Sequence, residues 1–225
     1  NVKNPLNFNL NREKSFLKKI SKEQFLLKKG NWNIEKPIVL IGNLQVEQDT
    51  ILNFSKNSYL IVVGSVKIEG SQNKPVIFRG KEGQWGGIYI LSKNKNTSLF
   101  KNVLIKNASG IHDSILKLDS SLTIYEGNVK IDNLNIEESS TEDAINIFNS
   151  NIDIKNLSIN STFSDALDCD FCNGVIEYSK FSNILGDAID FSGSNVSLNN
   201  IRVEKVKDKG LSVGENSYVY ISDSS

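Results

Sequence analysis

The stretch that decides the fold lies between residues 142 and 213, where one six-residue pattern occurs four times. The copies are Glu142-Asp143-Ala144-Ile145-Asn146-Ile147, Ser164-Asp165-Ala166-Leu167-Asp168-Cys169, Gly186-Asp187-Ala188-Ile189-Asp190-Phe191 and Asp208-Lys209-Gly210-Leu211-Ser212-Val213. Each copy begins 22 residues after the previous one. Two further apolar columns keep the same step, namely Ile154, Ile176, Leu198 and Tyr220, and Ile159, Phe181 and Val203. Apolar columns at one spacing indicate a solenoid, in which each repeat buries its apolar face against its neighbours.

The segments within each repeat have the period of strands. In the third copy, Ile189 and Phe191 fall on one side of the chain, whereas Ala188 and Asp190 fall on the other. Turn-favouring Asn, Gly, Ser and Asp residues separate the segments. Several short strands in a repeat of 22 residues predict a parallel β-helix, since the Leu-x-x-Leu-x-Leu framework of a leucine-rich repeat is missing. Alternation predicts two buried stacks, one of Ile145, Leu167, Ile189 and Leu211 and one of Ile147, Cys169, Phe191 and Val213.

The earlier part of the chain resembles the first coils of bacterial right-handed parallel β-helix proteins of the pectin-lyase-like superfamily. The resemblance is carried by residues 59–70, by Pro75-Val76-Ile77-Phe78 and by Trp85-Gly86-Gly87-Ile88. It covers residues 38–225 and implies an all-β, right-handed parallel β-helix. The segment that begins at Tyr218 starts another coil, which suggests further coils or domains of the same chain. Residues 1–37 mix apolar residues with lysines, and we expect an N-terminal cap of amphipathic helix or short extended segments, or else a linker.

The composition argues against several classes of function. The 225 residues include 26 basic and 26 acidic side chains, and the resulting zero net charge argues against a dedicated nucleic-acid-binding protein. No apolar run approaches the roughly 20 residues of a membrane-spanning helix. The single histidine, His112, is expected at the surface, which leaves little basis for a Ser-His-Asp or histidine-rich zinc site. The charge is uneven, because residues 1–106 hold 18 basic and 7 acidic side chains, whereas residues 137–190 hold 2 basic and 11 acidic ones.

Two acidic columns follow from the repeats. The first, at the start of a strand, holds Asp143, Asp165, Asp187 and Lys209; the second, pointing outward from the same strand, holds Asn146, Asp168, Asp190 and Ser212, with Asp170 nearby. Neighbouring coils lie about 4.8 Å apart, so these carboxylates would repel one another unless a proton, a lysine or a metal ion neutralises them. Carboxylates at this spacing can bracket Ca²⁺, and Asp168, Asp170 and Asp190 are the expected ligands of such an ion.

Three of the motifs also resemble consecutive active-site coils of polygalacturonases, which contain Asn-Thr-Asp-Gly, Asp-Asp-Cys and Gly-His-Gly-Leu-Ser-Ile-Gly. The resemblance places Asp165 and Asp187 on catalytic carboxylates, with Gly186 in place of one acid and Lys209 in place of the histidine. Aspartates with a lysine are also similar to the calcium sites of some pectate lyases, in which a lysine abstracts the proton alpha to a uronate carboxylate. These resemblances imply catalysis by Asp165, Asp187 and Lys209. From their positions in the sequence, we expect Asp143, Asn146 and Trp85 to contact the substrate.

Other interpretations of the same residues remain open. Aspartates at the start of a strand also accept hydrogen bonds from backbone N–H groups, so the first column can be purely structural. Trp85 either packs against a turn or stacks on a sugar ring. Cys169 and Cys172 have the spacing of a redox or zinc half-site, but Cys169 falls in an interior column and Cys172 in a turn. Two functions are consistent with the sequence: a lyase or hydrolase of an acidic polysaccharide, or a non-catalytic module of a secreted or cell-surface protein that scaffolds or binds glycans.

Overall fold

The computed structural model describes residues 16–92, 95–112 and 116–225, and in these ranges the protein is an all-β parallel solenoid. It has about 8 turns with coils of roughly 23 residues, which confirms the predicted fold class. The described ranges contain no helix that could cross a membrane. The strands are, in chain order, β1 (Leu17–Ser21), β2 (Gln24–Leu27), β3 (Gly30–Ile34), β4 (Ile38–Ile41), β5 (Asn43–Val46), β6 (Thr50–Phe54), β7 (Leu60–Val63), β8 (Val66–Glu69), β9 (Val76–Gly80), β10 (Ile88–Leu91), β11 (Thr97–Lys106), β12 (Ile111–His112), β13 (Lys117–Leu118), β14 (Ser120–Tyr125), β15 (Asn128–Ser139), β16 (Asp143–Phe148), β17 (Asn151–Thr162), β18 (Asp165–Asp170), β19 (Asn173–Ile184), β20 (Ile189–Ser192), β21 (Asn195–Val206), β22 (Ser212–Val213) and β23 (Tyr218–Ser222).

Strands of successive coils stack into two large sheets. The 13-stranded sheet follows the order β1-β2-β5-β8-β11-β15-β17-β19-β21-β23, with β3, β6 and β9 joined to it at β11. The 8-stranded sheet follows the order β22-β20-β18-β16-β14-β10-β7-β4. In this second sheet Ile145 lies opposite Leu167, and Leu167 lies opposite Ile189. The 22-residue period of the sequence therefore sets the register between these coils.

The long strands of the 13-stranded sheet bend near the middle at one residue in the left-handed backbone conformation. The bending residues of β11, β15, β17, β19 and β21 are Asn102, Asn133, Asn156, Tyr178 and Asn200. Asparagine tolerates this conformation because its short polar side chain can form local hydrogen bonds. The side-chain amide of Asn133, for example, donates to the Asn102 oxygen of the preceding coil at 2.8 Å. The bend divides each long strand in two, which with the 8-stranded sheet makes three strand segments per coil.

The interior is filled by the predicted apolar columns, with one exception at the last coil. Leu167, Cys169 and Phe191 are fully buried, and the other members of both stacks in β16, β18 and β20 are at most 1% exposed. Leu211 is only partly buried, and Val213 is 49% exposed. The prediction of a buried Val213 is therefore wrong, because β22 is the last strand of the 8-stranded sheet and no strand of the described residues covers it.

The described residues before 38 form strands rather than a helix. β1 pairs antiparallel with β2, and β2 pairs in parallel with β5, so parallel pairing begins at Gln24 and not at residue 38. Phe16 and Trp32 pack on the core with ring centroids 6.2 Å apart. β1 thus covers the edge of β2 that would otherwise be unpaired. Residues 1–15, which belong to the predicted cap or linker, lie outside the described residues.

Candidate functional site

The two predicted acidic columns lie on the outer side of the 8-stranded sheet. Asp143 and Asp165 are paired at the start of β16 and β18, and Asp168 is paired with Asn146 before it and with Asp190 after it. The interior positions between them belong to the core, so the register places the polar side chains outside, as alternation predicts. We call this surface the acidic face and define it by Asp143, Asn146, Asp165, Asp168, Asp170, Asp187, Asp190 and Lys209.

The first column is a ladder of hydrogen bonds between coils. The Oδ1 atom of Asp165 accepts the backbone N–H of Asp187 at 2.8 Å, and Oδ1 of Asp187 accepts the backbone N–H of Lys209 at 2.8 Å. The Lys209 ammonium lies 3.0 Å from Oδ2 of Asp187, and Asp187 itself is only 6% exposed. Asp119, two coils before Asp165, makes a similar contact by accepting the backbone N–H of Glu142 at 3.2 Å. Asp165 and Asp187 therefore hold neighbouring coils together, whatever else they do.

Gly186 gives the Asp165 carboxylate the space it needs to reach the next coil. A Cβ atom at position 186 would collide with Oδ1 of Asp165 and with the backbone of Ser164. Polygalacturonases have an acid at this position, and an acid cannot be accommodated here without moving Asp165. This protein therefore lacks one of the two carboxylates that polygalacturonases have here. The small Gly186 instead favours the hydrogen bond between Asp165 and the next coil.

Two carboxyl groups of the acidic face, one from each column, ionise reluctantly. Burial, and after it the neighbouring carboxyls of Asp170 and Asp190, raises the pKa of Asp168 to about 7. Burial, followed by the charge of Asp168, raises the pKa of Asp143 to about 7 as well. Asn146 bridges these two groups, because its amide nitrogen donates to Asp168 at 2.9 Å and to Asp143 at 3.1 Å. Near neutral pH a substantial fraction of Asp143 and Asp168 is therefore protonated beside the Asn146 amide, and these groups both donate and accept hydrogen bonds.

Lys209 is poorly suited to act as a base. Its ammonium group bonds to Asp187 at 3.0 Å and to Asp208 at 3.3 Å, and these hydrogen bonds raise its pKa above the ordinary value. A lysine that abstracts a proton needs a lowered pKa, so that the neutral amine is populated at working pH. The contacts of Lys209 thus oppose the lyase role that the resemblance implies.

The residues that the structure groups for a cation differ from the predicted set. Side-chain oxygens of Asp165, Asp187 and Asp190 lie within 4.8 Å of one another, whereas the sequence suggested Asp168, Asp170 and Asp190. All-oxygen ligands at this spacing match the chemistry of Ca²⁺. The Lys209 ammonium already neutralises Asp187, however, so the cluster does not fit an added ion while that ion pair is in place. Calcium binding stays a prediction.

A row of aromatic rings lies beside the acidic columns, and the sequence reasoning missed it. We call Tyr125, Phe148 and Phe171 the aromatic row. The Tyr125 and Phe148 rings stack with centroids 5.0 Å apart, and Phe171 meets Phe148 edge to face at 5.5 Å. Tyr125 and Phe171 are both exposed. The available signal was a spacing of 23 residues between successive members, which a search at a period of 22 passes over.

Trp85 does not belong to this surface. It is completely buried, stacks on Phe54 with ring centroids 4.2 Å apart, and donates its indole N–H to the carbonyl oxygen of Lys106 at 2.9 Å. The prediction that Trp85 contacts substrate is wrong, because no face of the ring is open to a sugar. The alternative, that Trp85 packs inside a turn, agrees with its position. His112 is exposed, as predicted.

The two cysteines form a disulfide across the turn that follows β18. The bond joins Cys169 and Cys172, and both residues are fully buried. The predicted positions, one interior and one in a turn, are confirmed, but the bond itself was not predicted. The bridged segment contains Asp170 and Phe171, so the disulfide constrains one residue of the acidic face and one of the aromatic row.

Comparison of the chain with models of protein families, with curated proteins and with solved structures found no match.

Proposed function

We propose that this solenoid is a carbohydrate-active protein whose acidic face binds a neutral polysaccharide along the outside of the 8-stranded sheet. The observation that carries the proposal is the parallel course of two rows. Hydrogen-bonding groups of Asn146, Asp168 and Asp190 repeat from coil to coil, and the aromatic row follows the same direction beside them. A polysaccharide offers the matching pattern, because each sugar has hydroxyl groups at its edge and an apolar C–H surface on its face.

The charge of the face favours a neutral sugar over a uronate. The acidic face holds six aspartates and one lysine, Lys209, so a polyanionic chain would be repelled. The raised pKa of Asp168 lets its carboxyl donate a hydrogen bond to a hydroxyl group near neutral pH. A uronate polymer would need a divalent cation between the two sets of carboxylates, and this is the remaining role for the predicted calcium.

Hydrolysis of the bound glycan is a second candidate function. It is favoured by the pKa of about 7 at Asp168, since glycoside hydrolysis needs one protonated carboxyl beside a second carboxyl group. Asp168 would protonate the leaving oxygen, and Asp190 on the next coil would act as base or nucleophile. Asp165 and Asp187, which the polygalacturonase resemblance suggested, are less suitable because their oxygens bind backbone N–H groups.

Two finer expectations belong to the same proposal. A right-handed sense is expected because connections between parallel strands of one sheet are right-handed in nearly all proteins. Kinship with the pectin-lyase-like superfamily agrees with parallel stacking of short strands in coils of roughly 23 residues. A secreted or cell-surface location is supported by the Cys169–Cys172 disulfide, because such bonds persist mainly in oxidising compartments. Oxidation of these cysteines in protein purified from its native location would test the second expectation.

The test uses two polymers that share one backbone. Polygalacturonate and its fully methyl-esterified form differ in charge, and a glycan array of neutral polysaccharides extends the comparison. The wild type should bind neutral polymers, and an Asp168→Ala, Asp190→Ala double variant should lose that binding while keeping its fold, because alanine removes the hydrogen-bonding groups. Asp153→Ala is the control, because Asp153 pairs with Lys130 in the other sheet at 3.1 Å.

Three results decide between the alternatives. Binding of the charged polymer without calcium, in preference to its ester, would overturn the proposal. Reducing ends released by the wild type, but not by Asp168→Asn, would establish hydrolysis. Binding of no polysaccharide at all would leave the solenoid as a scaffold.

A further inference from the structure

We infer that Phe171 is the sugar-stacking residue of this surface and that the fold holds its ring in place before the ligand arrives. This inference rests on the proposed glycan-binding function and names the residue that contacts the apolar face of one sugar ring. It is supported by the backbone conformation of Phe171, by the space beside its ring and by the disulfide that encloses it.

The backbone of Phe171 adopts a conformation that phenylalanine disfavours. Its φ is +55°, and the same turn position is occupied by Asn149 (φ +47°) one coil earlier and by Gly193 (φ +60°) one coil later. Asparagine and glycine tolerate the left-handed region, whereas a bulky residue is strained there. Strained residues persist where the surrounding structure holds them, and they cluster at binding sites. A large ring at a position suited to asparagine or glycine is therefore held by the surrounding structure and not by its own backbone preference.

The next coil leaves room for the ring. A Cβ atom at position 193 would come within 2.6 Å of the Phe171 ring, so the ring lies across Gly193 and a larger residue there would have to move it. The edge-to-face contact with Phe148, at an interplanar angle of 80°, turns the Phe171 ring away from the stacking direction of the row. Phe171 remains 53% exposed although it touches both neighbours. It thus offers an open surface of the kind on which the C–H face of a pyranose packs.

The disulfide fixes the turn that carries the ring. Cys169 and Cys172 lie on either side of Asp170 and Phe171, and the Cys172 backbone N–H also donates to the Ser194 hydroxyl at 2.8 Å. A ligand that meets a ring already held in position loses less conformational entropy on binding. Asp170, directly before the ring and partly exposed, can accept a hydrogen bond from a sugar hydroxyl.

Variants at position 171 separate a binding role from a structural one. Phe171→Asn introduces the residue type that Asn149 provides at this turn position one coil earlier. The variant should keep or raise the melting temperature and should bind neutral glycan at least tenfold more weakly. Phe171→Tyr keeps an aromatic ring and should bind as the wild type does. Tyr178→Asn is the matched control, because Tyr178 is also an exposed aromatic residue in the left-handed conformation (φ +50°) but lies on the 13-stranded sheet. It should keep its melting temperature and its affinity.

The outcomes also separate this inference from the proposed function. Unchanged affinity of Phe171→Asn, with binding lost in the Asp168→Ala, Asp190→Ala variant, would overturn the role of Phe171 alone. A parallel fall of melting temperature and affinity in Phe171→Asn would show that the ring is structural and would overturn it too. Absence of glycan binding by the wild type would overturn both proposals.

Discussion

Replacing Asp168 with asparagine should stabilise the protein at pH 8 and leave its stability nearly unchanged at pH 4. The carboxyl has a pKa of about 7 in the folded protein, against an ordinary value of 3.8. Between pH 3.8 and pH 7 the native state binds more protons than the unfolded state. Ionisation of this group therefore makes the protein progressively less stable as the pH rises. Asparagine removes the ionisation, and its amide oxygen can still accept the hydrogen bond from Asn146.

The expected size of the effect is set by the pKa shift. About 3 pKa units at about 1.4 kcal/mol each set an upper bound of about 4 kcal/mol. Because the carboxyl is partly exposed, solvent screening reduces this to about 2 kcal/mol. A chain of this size gains about 2–4 °C per kcal/mol, so the melting temperature of Asp168→Asn should rise by about 4–8 °C at pH 8.

Thermal unfolding followed by circular dichroism at pH 4, 6 and 8 measures this difference. Asp153→Asn is the control, since it removes an exposed carboxyl paired with Lys130 and should lower stability by no more than about 1 kcal/mol. A gain for Asp168→Asn that is absent at pH 8, or equally large at pH 4, would refute the reasoning. The first result would mean that the Asp168 carboxyl is well solvated, and the second would mean that the gain does not come from its ionisation.

Three further changes test other parts of the structure. Gly186→Ala should lower the free energy of unfolding by about 2–4 kcal/mol, because the new methyl group collides with the Asp165 carboxylate; an unchanged urea midpoint would contradict the ladder. Trp85→Phe should lower the free energy of unfolding by about 1–3 kcal/mol and leave glycan affinity unchanged. Loss of affinity in a stable variant would show that Trp85 contributes to glycan binding after all. Calcium should raise the melting temperature of Lys209→Ala more than that of the wild type, because Asp187 then lacks its ammonium partner; equal shifts would argue against competition for that carboxylate.

The repeating part of the fold was predictable because one period controls it. The 22-residue step places Leu167 between Ile145 and Ile189 in the core, and the same step places Asp168 outside between Asn146 and Asp190. Neither placement needs knowledge of distant contacts, since each coil repeats the environment of the one before it. The structural alternative for Asp165 could be stated for the same reason, but only the structure shows its carboxylate on the next coil's backbone N–H.

The errors arose where a residue's environment depends on more than the repeat period. Val213 keeps the apolar pattern, but its exposure depends on whether another strand covers β22, and the period carries no information about that. Trp85 looks like a surface aromatic in sequence, and only the fold brings Phe54 against it. Phe171 occupies a turn position that neighbouring coils fill with Asn149 and Gly193, so its conformation could not be inferred from phenylalanine itself.

Carboxyl footprinting with and without a neutral glycan tests the central claim most directly. Carbodiimide coupling of an amine to exposed carboxyl groups, followed by peptide mass spectrometry, reports which aspartates a bound ligand covers. We expect the bound polysaccharide to reduce labelling of Asp168, Asp170 and Asp190, and to leave labelling of Asp153 on the other sheet unchanged. Two results would contradict binding at the acidic face. One is protection of Asp153 instead, and the other is that saturating glycan leaves the labelling of all four aspartates unchanged.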